Sequence, residues 1–164
     1  MGSRTLGAKR GFSLIEAMVV VAIIGIVLAA AIPDFVTSNK RRRVEAAATD
    51  LSARIQMTRQ RAVAMRTPHR LVLEPAERTY RTESQETDST WAQVPGQVYS
   101  VNQTVNWSVD VGGSPQNNDI EFESRGTIFI DDAPTLVTFT NAQGDTFCVS
   151  LVRTGRVTVR SGAP

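Results

Sequence analysis

Residues that could carry out catalysis are scarce in this chain. It has one cysteine, Cys148, and one histidine, His69, among 164 residues. A single thiol excludes an intrachain disulfide, and one thiol with one imidazole is too few for a zinc-type ligand cluster. A nucleophilic cysteine would also need a base beside it, and the sequence offers only His69. We therefore expect no enzyme, no metal and no cofactor. Within the alternating stretch TFCVSLV, Cys148 is expected to be a buried or half-buried strand residue.

One carboxylate occupies a position that needs a chemical reason. Glu16 lies near the start of an apolar run, residues 12–32, in which eighteen side chains are apolar and the exceptions are Ser13, Glu16 and Gly25. A run of about 20 such residues can span the hydrocarbon core of a bilayer as a helix. Its Leu, Ile, Val and Phe residues favour insertion by about 4–7 kcal/mol in sum. This exceeds the roughly 3 kcal/mol that a central acid costs, and an acid inside a membrane segment is usually functional and needs a partner.

The apolar run has three interpretations. The first is a cleaved secretory signal, with residues 29–31 as a small-residue cleavage site. The second is a plain anchor helix, and the third is a segment that first inserts into the membrane and later packs against protein. A generic signal peptide gains nothing from Glu16, which disfavours the first. Counting basic residues does not fix the orientation, because residues 1–11 carry three and residues 40–43 carry four. We expect a cytoplasmic N-terminus, because the leader, residues 1–11, is too short to be a domain and the C-terminal part is typical of an exported, folded protein.

Charge is segregated along the chain, although the formal net charge is only +2. Residues 40–70 carry nine Lys or Arg against two acids, whereas residues 71–164 carry six Arg against twelve acids. The pattern predicts a basic stalk and an acidic body. For residues 40–43, a solvated helical turn near lipid phosphates is favoured over pairing with acids of neighbouring stalks and over a nucleic-acid site. The acidic part ends in a small basic tip formed by Arg153, Arg156 and Arg160.

A second helical pattern follows the apolar run. Pro33 has no N–H group and its ring clashes with the preceding turn, so it should kink or briefly melt the helix. Residues 34–66 then show an apolar stripe at helical spacing, and Thr67-Pro68 ends the pattern. The stripe comprises Val44, Ala48, Leu51, Ile55, Ala62 and Met65, with Thr58 filling its one gap.

From Pro68 onward the sequence is typical of β-strands. Short alternating stretches are separated by turns rich in Gly, Asn and Pro. The stretch ESQETDST, residues 83–90, is polar and acidic, and we expect a mobile loop there. Four aromatic residues are expected to be buried or half-buried in the core rather than to form a stacking platform: Trp107, Phe122, Phe139 and Phe147. The predicted strands are 69–74, 78–82, 97–101, 104–110, 119–124, 126–130, 135–140, 145–152 and 156–160.

These elements predict an α+β fold. A long N-terminal helix, with a transmembrane half and then an amphipathic half, packs on a head made of an antiparallel β-sheet or sandwich. The expected division is a leader at 1–11, a transmembrane or filament-core helix at 12–33, an amphipathic stalk helix at 34–66 and a β-rich globular head at 67–164.

The stretch KRG-FSLIE, residues 9–16, resembles the processing site of type IV prepilins and type II secretion pseudopilins. Members of that superfamily share a glycine before the cut, an aromatic or hydrophobic residue after it, and a glutamate as the fifth mature residue. Gly11, Phe12 and Glu16 match these positions, and Pro33 falls where the superfamily commonly has a helix-kinking proline.

The resemblance implies a role for each of these residues. Prepilin peptidase would cut after Gly11 on the cytoplasmic face and methylate the new amino group of Phe12. Glu16 would then face the Phe12 amine of a neighbouring subunit, although a snorkelling acid without a partner is the alternative. The implied location is the bacterial inner membrane, with a single pass, a cytoplasmic N-terminus and a periplasmic head, followed by a filament. The implied partners are the peptidase, other filament subunits and membrane lipid.

The body resembles minor pilins and pseudopilins of the secretion-protein-H and fimbrial-T type. FESRGTI at 122–128 is similar to their Phe-x-x-x-Gly strand entry, TGRVTVR at 154–160 to their terminal strand, and residues 53–73 to their helix-to-strand transition. The resemblance implies a structural subunit that initiates or caps a type IV pilus or a type II secretion pseudopilus. The alternative is a DNA-binding minor pilin for DNA uptake through the basic C-terminal strand, with Arg153, Arg156 and Arg160 as the candidate residues, although a solvated terminal strand is favoured. Some relatives bind DNA through a Gly-Arg-x-Arg tail, and here Gly155 and Arg156 match, whereas Thr158 stands where the second arginine is expected.

Overall fold

The computed structural model describes residues 12–110, 118–128 and 135–162, without the side chains of residues 29–35. Within these ranges the chain forms one long helix followed by eight strands. The chain divides into two compact units, residues 1–39 and residues 40–164. The elements are α1 (Leu14–Met65), β1 (His69–Glu74), β2 (Thr79–Gln85), β3 (Trp91–Ser100), β4 (Asn106–Asp110), β5 (Asp119–Phe122), β6 (Thr135–Thr140), β7 (Thr146–Leu151) and β8 (Val157–Ser161).

The helix α1 has no break at position 33, and a bend at Pro33 stays a prediction. Its C-terminal end is closed by backbone hydrogen bonds. Arg66 adopts a φ of 53°, the N–H of Arg66 donates to the Val63 carbonyl at 3.4 Å, and the N–H of Thr67 donates to the Ala62 carbonyl at 3.2 Å. A left-handed residue with this pair of bonds is the Schellman type of helix end. The helix therefore stops just before Pro68, as the sequence predicts.

The strands form two four-stranded antiparallel sheets. Sheet A has the order β3-β2-β1-β5, and sheet B has the order β4-β6-β7-β8. The α+β fold with a long helix and antiparallel sheets is confirmed. Some strand bounds differ from the predicted ones. For example, β3 begins at Trp91, whereas the sequence predicted a start at position 97. Of the predicted strand 126–130, Ile128 forms only an isolated bridge with Phe122, and residues 129–130 lie outside the described residues.

One hydrophobic core joins the second half of α1 to both sheets. The predicted stripe from Val44 to Ala62 is buried, including Thr58, whose hydroxyl donates to the Arg54 carbonyl at 2.9 Å. The four aromatic residues expected in the core are all buried, and so is Cys148. Tyr80 adds a polar contact between sheet A and the helix, because its hydroxyl donates to the Asp50 carboxylate. Burial, together with this carboxylate, raises the pKa of Tyr80.

The prediction that Met65 belongs to the buried stripe is wrong. Its side chain is 64% exposed, and every residue from position 63 to position 66 is exposed. The buried part of the stripe therefore ends at Ala62. Helical spacing alone does not reveal where the burial ends.

The prediction of a mobile loop at 83–90 is wrong for its first three residues. Strand β2 continues to Gln85, and Glu83 is 7% exposed. Its carboxylate binds Arg70 at 2.6 Å and Arg81 at 2.8 Å. Burial opposes the charge of Glu83, but the hydrogen bonds from Arg81 and Arg70 outweigh it and lower the pKa of this carboxyl. One cation on the neighbouring strand β1 and one on β2 itself therefore allow an acidic stretch to continue a strand.

Two glycine turns of the head pack against Arg59 of α1. Gly126 and Gly155 are buried, with φ of 79° and 80°. The Nε–H of Arg59 donates to the Gly126 carbonyl at 2.9 Å. A Cβ atom on Gly155 would lie 2.7 Å from Nε of Arg59 and 2.9 Å from its Cζ, closer than such contacts allow. Gly155 is required both by its left-handed backbone and by the guanidinium beside it, whereas a Cβ atom on Gly126 would first meet Cγ2 of Val63, at 2.7 Å.

We predict that Gly155→Ala destabilises the head more than Gly144→Ala does. Gly144 has a φ of 85°, but a Cβ atom added there would have nothing within 4 Å, so its alanine variant reports backbone strain alone, about 1–2 kcal/mol. Gly155→Ala should cost about 1–3 kcal/mol more, because it displaces a charged hydrogen-bond donor. The measurement is urea unfolding of the full chain in detergent, followed by the fluorescence of its two tryptophans, Trp91 and Trp107.

A double-mutant cycle provides the control for that comparison. In an Arg59→Ala background the guanidinium is gone, so the extra cost of Gly155→Ala over Gly144→Ala should disappear. Equal costs for the two glycine variants in the unmodified chain would contradict the proposed contact.

Candidate functional site

The N-terminal segment is described from Phe12 onward, and Gly11 lies outside the described residues. The helix starts at Leu14, and its first turn is closed by the N–H of Ala17, which donates to the Ser13 carbonyl at 3.1 Å. Glu16 belongs to this first turn and its side chain is exposed. A negative charge is favourable here because the N-terminal end of a helix carries a partial positive charge. The local structure thus tolerates an acid at this position and leaves its carboxylate accessible.

The large apolar side chains of the first helical turns find little cover within the chain. Every large hydrophobic side chain described between Phe12 and Leu28 is between 44% and 78% exposed. These residues point in all directions around the axis, so no single face could cover them. A helix that is apolar all round is stable only when other apolar groups surround it.

Exposure of these side chains is a separate matter from the ability of the helix to cross a bilayer. Over the residues that the structure describes, no helical stretch combines the length and the hydropathy needed for that.

The residues of the predicted basic tip are exposed. Arg153 lies in the turn between β7 and β8, Arg156 directly precedes β8, and Arg160 lies within it. In the ladder Ser150 is opposite Thr158 and Cys148 is opposite Arg160, so Thr158 and Arg160 share the face of sheet B that Cys148 occupies. Because β8 begins at Val157, strand alternation does not assign Arg156 to that face. Strand β8 is also an edge of its sheet.

Arg59 lies off the apolar stripe in the helical pattern of residues 34–66, and nothing in that pattern singled it out. The side chain is half-buried, and it lines a cleft of about 350 Å³ between α1 and the turn before β8. Arg156 lines the same cleft. A signal was available in the motifs themselves. The glycines of FESRG and TGRV are Gly126 and Gly155, and both turns meet at this one side chain.

The two residues first considered for catalysis are structural in this fold. Cys148 is 4% exposed in β7, with its Sγ 3.2 Å from the Thr138 hydroxyl. His69 is buried in β1 of the other sheet, with Nδ1 2.8 Å from the Thr67 carbonyl oxygen. Among the residues that the structure describes, no three His, Cys, Asp or Glu side chains are arranged to hold a metal ion.

Comparison with protein families identifies the N-terminal segment. The family described as the prokaryotic N-terminal methylation motif matches residues 6–32. Over 51 residues the chain is 51% identical to the type IV major pilin protein PilA of Myxococcus xanthus. This aligned region makes up 31% of this chain and 23% of PilA. It is 50% identical over 46 residues to a fimbrial protein of Pseudomonas aeruginosa, covering 28% of this chain and 30% of that protein. The chain thus matches less than a third of the length of these curated relatives.

Comparison with solved structures identifies the fold of the rest. The minor pseudopilin EpsH of the type 2 secretion system of Vibrio cholerae aligns with a TM-score of 0.58 and 14% identity, over 74% of this chain and 98% of that one. The type IV minor pilin FimU of P. aeruginosa aligns with a TM-score of 0.56 and 16% identity, over 74% of this chain and 94% of that one. At this identity the likeness concerns the fold.

The two comparisons agree with the class that the sequence suggested. An N-terminal methylation motif is thus joined, in this chain, to a part that has the fold of a minor pseudopilin and a minor pilin.

Proposed function

We propose that the chain is a minor pilin or pseudopilin, a structural subunit that initiates or caps a type IV pilus or a type II secretion pseudopilus. The observation that carries the proposal is the all-round exposure of apolar side chains between Phe12 and Leu28, at the start of a protein with a minor-pilin fold. Such a segment needs apolar surroundings twice, first in the membrane and then among the helices of neighbouring subunits. A filament core supplies the second environment.

Processing prepares this segment for assembly. In the proposal, prepilin peptidase cuts after Gly11 and methylates the amino group of Phe12. The new amine then lies only two residues before the first helical residue, Leu14. Glu16 lies two residues after Leu14, and therefore four residues after the amine of Phe12. A cation and a carboxylate are thus available at closely spaced positions of every subunit.

Pairing between subunits gives Glu16 its role. An unpaired carboxylate in an apolar medium is costly, and a cationic partner offsets that cost. When the Glu16 carboxylate of one subunit meets the Phe12 amine of the next, both charges are neutralised only at one axial offset. The acid thereby sets the register of assembly. Its exposure in the first helical turn is compatible with a partner outside the chain.

The proposed location follows the same segment. The chain crosses the bacterial inner membrane once, with a cytoplasmic N-terminus and a periplasmic head, before it enters the filament. The side chains of residues 40–43 are exposed on α1, as a basic turn near lipid phosphates requires. Pro33 would bend the helix between the apolar run and this basic turn.

We predict that Glu16→Ala blocks entry into filaments and leaves the protein in the membrane. The variant stays apolar enough to insert, but it leaves the Phe12 amine of the neighbour without a counter-charge. The measurement is the ratio of this protein in sheared filaments to that in membranes, by immunoblot. Glu45→Ala removes an exposed acid of α1 beyond Pro33 and serves as the control. Wild-type incorporation of the Glu16→Ala protein would contradict the register role.

DNA binding is the second candidate function. It is supported by the exposure of Arg153, Arg156 and Arg160 near the edge strand β8. Such residues can contact phosphates without reading base sequence. Against this, three cations make a small electrostatic footprint, and residues 71–164 are net acidic.

DNA binding predicts a mobility shift at low salt. The full chain in detergent should retard a short duplex, and the combined change Arg156→Ala and Arg160→Ala should abolish the shift. Arg61→Ala, which removes the same type of charge from the helix, should leave it intact. No shift by the unmodified protein, or a shift that the double variant retains, would exclude this candidate.

A further inference from the structure

We propose that the cleft between α1 and the turn before β8, defined by Gln56, Arg59, Gln60, Thr154 and Arg156, receives an acidic side chain of a neighbouring filament subunit. The inference rests on the proposed function, because it requires a neighbour. It concerns the head, however, and does not depend on the contact between Phe12 and Glu16.

The first argument is the charge of the cleft. Among the described residues its lining contains two arginines, two glutamines and a threonine, and no acidic side chain. All of these polar side chains can donate hydrogen bonds. Elsewhere in the head, two neighbouring arginines are both paired with carboxylates of the chain itself. Arg70 binds Glu83 and Asp119, and Arg81 binds Glu74 and Glu83. Among the described residues, neither Arg59 nor Arg156 forms an ion pair of this kind.

The second argument is the fixed position of Arg59. Its Nε–H is bound to the Gly126 carbonyl, and Gly155 packs against the guanidinium, so the group cannot turn freely. Only Nε is used in this way, and the two terminal nitrogens make no hydrogen bond to another described residue. A held guanidinium with its terminal N–H groups available loses little conformational freedom when it binds a planar carboxylate.

The third argument concerns the size and charge of the occupant. A cleft of about 350 Å³ is large enough for one or two side chains and too small for a folded element. One carboxylate, bound by two guanidinium groups and flanking amides, fits its donors. A nucleic acid would have to bring a row of phosphates against a body in which residues 71–164 carry twelve acids and six arginines. An acidic side chain on a protein loop brings one charge and avoids this repulsion.

The proposal is tested with the full chain in detergent micelles, labelled with nitrogen-15 in arginine. An acetylated tri-glutamate peptide is the probe, and the signal is the Nε–H resonance of Arg59, assigned with Arg59→Lys. Tri-glutamate should shift this resonance in a saturable manner, whereas a tri-glutamine peptide should not. Arg156→Gln should weaken the binding by about tenfold or more, the loss expected for one charged hydrogen bond. Arg61→Gln, about 200° further around the helix, should leave it unchanged.

Each other outcome overturns the proposal. Absence of a saturable shift with tri-glutamate removes the site. Equal binding by the Arg156→Gln protein removes the two-arginine cleft. A short DNA duplex that shifts the Arg59 resonance at lower concentration than tri-glutamate assigns the cleft to phosphate. None of these results affects the assembly role of Glu16, because that role is measured by filament incorporation.

Discussion

The structure depends on one constraint, which is the need to keep the apolar first part of α1 out of water. Large hydrophobic side chains from Phe12 to Leu28 are exposed around the whole helix. The chain offers no apolar stripe that would direct this segment to a single partner surface, so its environment must be apolar on all sides. The single acid at position 16 is then significant, because in such an environment it is the one group whose charge selects a position for its neighbour. Membrane insertion and polymer assembly become two consequences of the same sequence.

The head solves a different problem, which is to hold a long helix on two sheets. Most of the contact is hydrophobic and comes from a continuous core between α1 and the strands. Arg59 adds a specific polar contact, because its hydrogen bond to Gly126 and its packing on Gly155 join the helix to turns of the head that are distant in sequence. The motifs FESRG and TGRV thus have a physical meaning in this protein. Each provides a left-handed glycine that lets the backbone approach one guanidinium.

The accuracy of the sequence predictions follows the range of the interactions involved. The buried stripe from Val44 to Ala62 could be predicted because helical periodicity is local. Met65 could not, because its exposure depends on where the packing surface ends. Glu83 was assigned to a loop because its partner Arg70 is 13 residues away on another strand. Arg59 was missed because the carbonyl that it binds is 67 residues away.

The N-terminus of the mature protein tests the account most directly. The protein should be purified from the membranes and filaments of its host, and its first residue determined by intact-mass and fragment-mass spectrometry. The account predicts a chain that begins at Phe12 and carries one methyl group on its amino nitrogen. A chain that begins at Ile32 would mean an ordinary signal peptide. A chain that keeps residues 1–11 in filaments would contradict the proposed origin of the amine that Glu16 needs.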